Sequence, residues 1–321
     1  MKIRLAALAF ISVVSSAQAA ERPTITLMVE NDSFIHGIDR HYTSGLYGSW
    51  TSATQEKDAI ASFAEHFMLP GDGAWRHGYF LGQSIFTPEN LSAVNPPLTD
   101  RPYAGWLFGG ARLYRDSGTV LDRAELTLGL VGPASLGGDI QRWWHGIGIF
   151  GGAKPRGWHS QLPNEPGLVL SQQRIWRINL ANGPLEVEIL PQAHLSLGNI
   201  FTHAGAGGML RFGSGLKSDW GPPRIAPGLQ GADFQNVDRF AWYAFAGVEG
   251  RAVGRNIFLD GSSFQSSRGV RKYNLVGDFS AGVALLFPNF RAAGSYVRRS
   301  REFKTQRGED EMASITVSFA P

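Results

Sequence analysis

The stretch Thr24–Trp50, TITLMVENDSFIHGIDRHYTSGLYGSW, decides the fold. Its opening residues set Ile25, Leu27 and Val29 against Thr24, Thr26 and Glu30, the period of two that gives a strand one apolar and one polar face. A dense polar segment follows, and Leu46 and Trp50 then resume an apolar pattern. Two strands joined by a polar loop bring Asn31, Asp32 and Thr43 together across one hairpin. Amide, carboxylate, imidazole and hydroxyl groups crowded at a strand end suit chemistry.

The same alternation recurs along the chain. Strand-like segments fall near 24–31, 42–53, 76–86, 102–115, 121–131, 168–180, 184–197, 203–213, 238–253, 270–287, 289–302 and 311–319. Leu185, Val187 and Ile189 alternate with Glu186 and Glu188, and Ile315, Val317 and Phe319 with Ser314, Thr316 and Ser318. In water such a pattern marks a sheet over a core. In an exported chain with long strands of even number, it marks a barrel with lipid outside. The expected fold is therefore all-β: a transmembrane antiparallel β-barrel of about 12 strands with long extracellular loops.

Export is read from the first residues: Lys2 and Arg4, an apolar run from Leu5 to Val14, and the small-residue site Ala17-Gln18-Ala19. This is the plan of a signal peptide, residues 1–19, leaving a single domain over 20–321. No later stretch has the roughly 18 consecutive apolar residues of a membrane-spanning helix. Cysteine is absent, which removes disulfide staples and thiol catalysis. The formal charge of +3 includes Lys2 and Arg4, so the mature chain carries about +1, which gives no reason to expect a nucleic-acid partner. A monomer in the bacterial outer membrane is the expectation.

If the mature chain starts in the periplasm, each odd-to-even connection lies outside the cell. That rule places the 32–41, 87–101 and 132–167 segments outside and makes Asp116-Ser117-Gly118, Asn182-Gly183 and Pro288-Asn289 tight inner turns. The 54–75 connection departs from it, being long and inner, with an amphipathic turn around Ile60, Phe63, Ala64 and Phe67 that suits a plug or an interfacial helix. The terminal Phe319 resembles the aromatic signal of outer-membrane insertion.

Gly132–Pro166 is the second dense segment. Gln141 and His145 are four apart, so a helix over Asp139–Gly146 puts both on one face, where Gln141 can orient the imidazole. Trp143 and Trp144 suit a membrane interface. Parity carries His145 to the outer rim that bears Asn31, Asp32 and Thr43. The structural alternative is that Asn31 and Asp32 satisfy a turn, that Thr43 turns its hydroxyl to a polar lumen, and that His145 is a loop aromatic.

Taken together, Asn31-Asp32-Ser33-Phe34, Asp39-Arg40-His41-Tyr42-Thr43-Ser44-Gly45-Leu46, Val131-Gly132-Pro133 and the Gln141…His145 pair resemble, in order and spacing, the outer-membrane lipid A 3'-O-deacylases known as LpxR. The resemblance implies a twelve-stranded barrel and a calcium-dependent esterase that removes the 3'-linked acyloxyacyl group of lipid A, within lipopolysaccharide of the outer leaflet. Carried over, His145 is the general base that activates water, Asp32 helps hold Ca2+, and Asn31 and Thr43 orient metal, water or ester. The family's glutamate shortly after the histidine has no counterpart here, where Gly151, Gly152 and Ala153 stand; Glu165 is the candidate substitute. Arg101, Lys154 and Arg156 are candidates to meet lipid A phosphates. Competing expectations are an outer-membrane phospholipase with Ser44 as nucleophile served by His41 across a bulge, and a non-catalytic porin-like barrel.

Overall fold

The computed structural model describes residues 22–36, 40–146, 154–225, 227–234 and 237–321. Two sequence readings, the signal peptide at 1–19 and the Gly151–Ala153 departure, lie outside the described residues. The backbone forms thirteen strands: β1 (Thr24–Asn31), β2 (His41–Thr51), β3 (Ala74–Thr87), β4 (Ala104–Asp116), β5 (Val120–Val131), β6 (Glu165–Trp176), β7 (Ile178–Ala181), β8 (Glu186–Gly198), β9 (Phe201–Ser214), β10 (Ala241–Asn256), β11 (Leu275–Phe287), β12 (Phe290–Arg299) and β13 (Asp310–Phe319).

Consecutive strands other than β6 and β7 pair antiparallel, and β1 pairs with β13 from Ile25↔Phe319 to Asn31↔Ala313. The sixth segment expected from sequence is broken at Arg177 into β6 and the short β7. β6 then pairs with β8 from Val169↔Gly198 to Ile175↔Gln192, which closes a barrel of twelve wall strands. Closure leaves the wall without a free sheet edge, the condition for crossing hydrocarbon.

The faces are inverted relative to a water-soluble sandwich. Ile25, Leu27, Leu81, Leu128, Leu170, Leu197, Val248, Val283 and Ile315 are exposed on the outside. The lumen is filled with charge. Thr26, Glu30, Arg112, Glu188, Arg211, Glu249, Asp278 and Arg291 are buried there.

The chain termini and the 117–119, 182–185 and 288–289 turns share one rim, the terminal rim; the opposite, loop rim carries the connections after β1, β3, β5, β10 and β12. Short α1 (Ser33–His36) and α4 (Ile257–Asp260) belong to the loop rim, as does α3 (Gly137–Gly146). Two long connections instead leave the terminal rim. One carries α2 (Ala59–Glu65), whose Ala61 packs with Met68 against Trp75 and Leu113, outward-facing residues of β3 and β4. It lies outside the wall, held by Arg115 and Arg174, which both bond Asp122 at 2.6 Å and reach backbone carbonyls at 69–70, and it leaves Ile60, Phe63 and Phe67 exposed. Of the two readings of this segment, the placement fits the interfacial helix.

The plug is elsewhere, in the described residues of 215–240 between β9 and β10. These fold into the lumen and supply three ion-paired residues. Asp219 meets Arg211, Arg291 and Tyr243; Asp233 meets Arg112 and Tyr47; Arg224 meets Glu30 and Asp278. Charges buried this deeply persist because each has an opposite charge close by.

Candidate outer-wall active site

Asn31 is the last residue of β1 and follows the parity of Ile25 and Leu27, so its side chain faces outward rather than into the lumen. Its Oδ1 accepts hydrogen bonds from the Ser33 N–H, at 2.6 Å, and from the Ser33 hydroxyl. That turn leaves the Nδ2 amino group as the donor available to a ligand.

Thr43 reaches the outside by a different device. Tyr42 pairs with Phe86 and Ser44 with Ile85, so Thr43 is the extra residue of a β-bulge, a local insertion that re-aims a side chain. Its hydroxyl lies 2.6 Å from that of Thr87, on the outer face, and not toward the lumen.

The third participant comes from α3, which lies against the outside of β3 and β4. Gly105 and Gly137 make that approach possible. A Cβ on Gly105 would fall 2.1 Å from Ser135 Oγ and 3.0 Å from Gly137 Cα, so the helix start and the strand touch backbone to backbone. Gln83 Nε2 donates to Ser135 O at 2.5 Å, and Trp158 packs on Gly138 while its indole N–H donates to Gln141 Oε1 at 2.7 Å. So fixed, α3 presents Gln141 and His145 on one face, as their spacing predicts.

These elements enclose a cavity of about 20 Å³ lined by Asn31, Thr43, Ser44, Ile85, Gln141 and His145, among others. That is room for about one water molecule. Beside it a shallow apolar groove of about 640 Å³ runs down the outer wall over Leu27, Leu46, Gly48, Leu81 and Val317. Val29, Leu46 and Trp144 line both. The sequence reading placed the polar residues at one rim. It missed that they meet on the lipid side of the wall, a consequence of the bulge and of α3 docking outside.

Other sequence-derived candidates fall elsewhere. Asp32 is buried beside the cavity, and its Oδ2 accepts the Arg40 backbone N–H, closing the loop around α1. Glu165 does not reach the cavity. It begins β6 and bonds Asn199, the Ser262 hydroxyl and the Ser263 N–H, anchoring the loop after α4. Arg101 is fully buried, bonded to Glu302 at 3.3 Å and stacked over Phe86, so it cannot meet a headgroup; Lys154 and Arg156 are exposed. His41 turns Nδ1 to Asp310 at 2.6 Å and has Nε2 3.8 Å from Asp100, at a backbone φ of 60°, so it does not serve Ser44.

Calcium takes six to eight oxygen ligands, commonly with several carboxylates. Among the described residues no group of three or more His, Cys, Asp or Glu stands close enough to hold a metal. Asp32 is the carboxylate at this place and already accepts a backbone N–H, while Asn31 and Thr43 add neutral oxygens. The described residues therefore fall short of a calcium site.

A closed barrel with an apolar exterior and a charge-filled lumen is an outer-membrane β-barrel protein. The chain belongs to the LpxR family: the family model described as outer membrane protein LpxR matches residues 4–320. Among solved structures it is similar to LpxR from Salmonella typhimurium, at 19% identity and a TM-score of 0.75, covering 92% of this chain and 99% of that one. It is also similar, at 12% identity and a TM-score of 0.43, to the β domain of the Bordetella autotransporter BrkA, covering 94% of this chain and 100% of that one. A search of curated proteins gave no match.

Proposed function

We propose that the protein is a lipid A 3'-O-deacylase that hydrolyses the ester of the 3'-linked acyloxyacyl group in the outer leaflet, with the loop rim facing the cell exterior. The observation that carries this reading is the single cavity shared by Asn31, Thr43, Gln141 and His145, continuous with an apolar groove on the lipid side of the wall. A lipid substrate reaches such a site sideways, keeping its acyl chains in hydrocarbon while its ester enters the polar cavity. Family membership supports the same substrate.

In the mechanism, the His145 imidazole takes a proton from a water held in the cavity, and the resulting hydroxide adds to the ester carbonyl carbon. The Asn31 amide N–H and the Thr43 hydroxyl are placed to donate to the carbonyl oxygen as it gains charge. Collapse of the tetrahedral adduct breaks the bond to the sugar 3'-oxygen, which receives the proton from His145. The products are the free acyloxyacyl acid and a 3'-hydroxyl. Gln141, bridged to Trp158, stiffens the helix face that carries the base.

The test is mass spectrometry of lipid A from cells expressing the protein. Wild type removes the 3'-acyloxyacyl mass, and His145→Ala lowers the rate by about 10²–10⁴-fold, the usual worth of a general base. Full activity in the variant overturns the assignment of His145; unchanged lipid A with folded wild type overturns the substrate. Ser44 lines the same cavity, so fluorophosphonate labelling of Ser44 would replace water attack by a serine nucleophile.

A further inference from the structure

On the other face of the wall, inside the lumen, a second cavity of about 120 Å³ lies beside the plug residues Ile225, Pro227 and Gln230, with strands from β2 round to β12 contributing to its lining. One row of paired residues crosses its wall: Arg123 opposite Gln173, Gln173 opposite His194, His194 opposite Gly205, and Gly205 opposite Arg251. His203 sits one row nearer the loop rim, opposite Ser196. The imidazoles meet edge to face at 5.1 Å. Gly205 makes the room, since a Cβ there would stand 2.3 Å from His194 Nε2.

Among the described residues, charge pairing in this chamber is complete but for one group. Glu125 is bonded to Arg112 at 3.0 Å and Glu302 to Arg101 at 3.3 Å, while Arg251 and Arg299 share Asp278. Arg123 is only 7% exposed, lines the cavity, and among the described residues has no ion pair or hydrogen bond. A guanidinium taken out of water without a counter-charge is strongly unfavourable. Across Gln173 from it, on the same cavity lining, His194 Nε2 and His203 Nδ1 are buried without hydrogen-bond partners, Nε2 lying 3.8 Å from Glu249.

We propose that this chamber is a binding site for a small oxoanion of phosphate, sulfate or carboxylate type, held by the Arg123 guanidinium fork with the His194 and His203 ring N–H groups as further donors. The planar fork matches two oxygens of such an anion at once, which a lysine could not do. The position inside the lumen, away from the lipid side of the wall, favours the free ion over a lipid headgroup. Its occupant supplies the counter-charge that the protein side chains leave out, independently of the esterase site across the wall.

The test uses the whole mature protein refolded in zwitterionic micelles without phosphate and titrated with inorganic phosphate, read by calorimetry and by thermal unfolding. Saturable one-to-one binding with a raised unfolding temperature is expected. Arg123→Gln weakens binding at least tenfold and abolishes the thermal shift; His203→Gln weakens it several-fold; Lys217→Gln, an exposed cation, changes neither. No saturable binding to wild type overturns the proposal, as does full binding in Arg123→Gln, which would mark an adventitious ion only. Should Arg123→Gln fail to refold, unchanged binding in His203→Gln and His194→Gln together overturns it. Displacement of phosphate by a short-chain phosphatidic acid would assign the occupant to a headgroup, and its failure to displace assigns the free ion.

Discussion

At the scale of single residues, the site depends on one inserted amino acid. Without the bulge at Thr43, the alternation of β2 would carry this hydroxyl to the lumen, the orientation that plain strand periodicity predicts. Thr43→Val keeps the shape and removes the hydroxyl from the cavity and from Thr87. We expect deacylation to fall about 10–100-fold, the worth of roughly one or two lost hydrogen bonds at a reacting centre, with stability changed by only about 1 kcal/mol. Lipid A mass spectrometry and urea refolding measure the two. A loss of folding equal to the loss of activity would make Thr43 structural. The residue types at the site were legible in the sequence because polar groups crowd a strand end, whereas their outward direction was not, because one unpaired residue changes no local composition.

At the scale of elements, α3 works through its seat on the wall. Gly105→Leu places a branched side chain where Ser135 and Gly137 now touch the strand, so the helix must lift while β4 keeps its pairing. Overpacking of this kind costs about 1–3 kcal/mol, which a twelve-stranded barrel survives. The variant is expected to fold, shown by heat-modifiable migration in gels, and to lose nearly all activity; retained activity would mean that α3 needs no fixed seat. A second element-scale expectation concerns the groove. Gly48 leaves its floor open between Leu27 and Leu81, so Gly48→Phe should raise the apparent KM several-fold with kcat little changed. An unchanged KM would place the acyl chains elsewhere.

The extents of the strands followed closely from alternation, because the lipid outside and the charged lumen impose opposite demands on successive residues. The helix carrying His145 was also legible, beginning two residues earlier than its spacing suggested. What escaped was the plug. Residues 215–240 are rich in Gly and Pro and carry no periodicity, and the plug is held by partners on strands from β1 to β12 rather than by its neighbours in the chain alone.

For the whole molecule, the plug decides against a pore. Asp219, Arg224 and Asp233 tie it to the wall at successive depths, so planar bilayers holding the protein are expected to show no steady conductance. Stable channels would favour the porin-like reading. Asp233→Ala leaves Arg112 with Glu125 as its remaining counter-charge and should destabilise the barrel by about 1–3 kcal/mol in equilibrium refolding. The family resemblance implies calcium while the described residues fall short of a site for it, and deacylation with and without a chelator decides between them: activity that survives chelation shows that the side chains suffice, and a loss restored by added Ca2+ shows that a metal completes the site.

The two helices outside the wall have a consequence for the bilayer itself. α3 covers β4 at Gly105 and α2 covers it at Leu113, eight residues along one strand, or roughly 26 Å at about 3.3 Å per residue. With the strand tilt usual in such barrels, the height left between them is roughly 20 Å, less than the ~30 Å thickness of ordinary hydrocarbon. Lipids along this one side are expected to shorten their span or tilt, so that the leaflet surface dips next to His145. Higher activity in bilayers of short acyl chains than of long ones would show it, with a headgroup lowered to the depth of the cavity instead of a lipid lifted out.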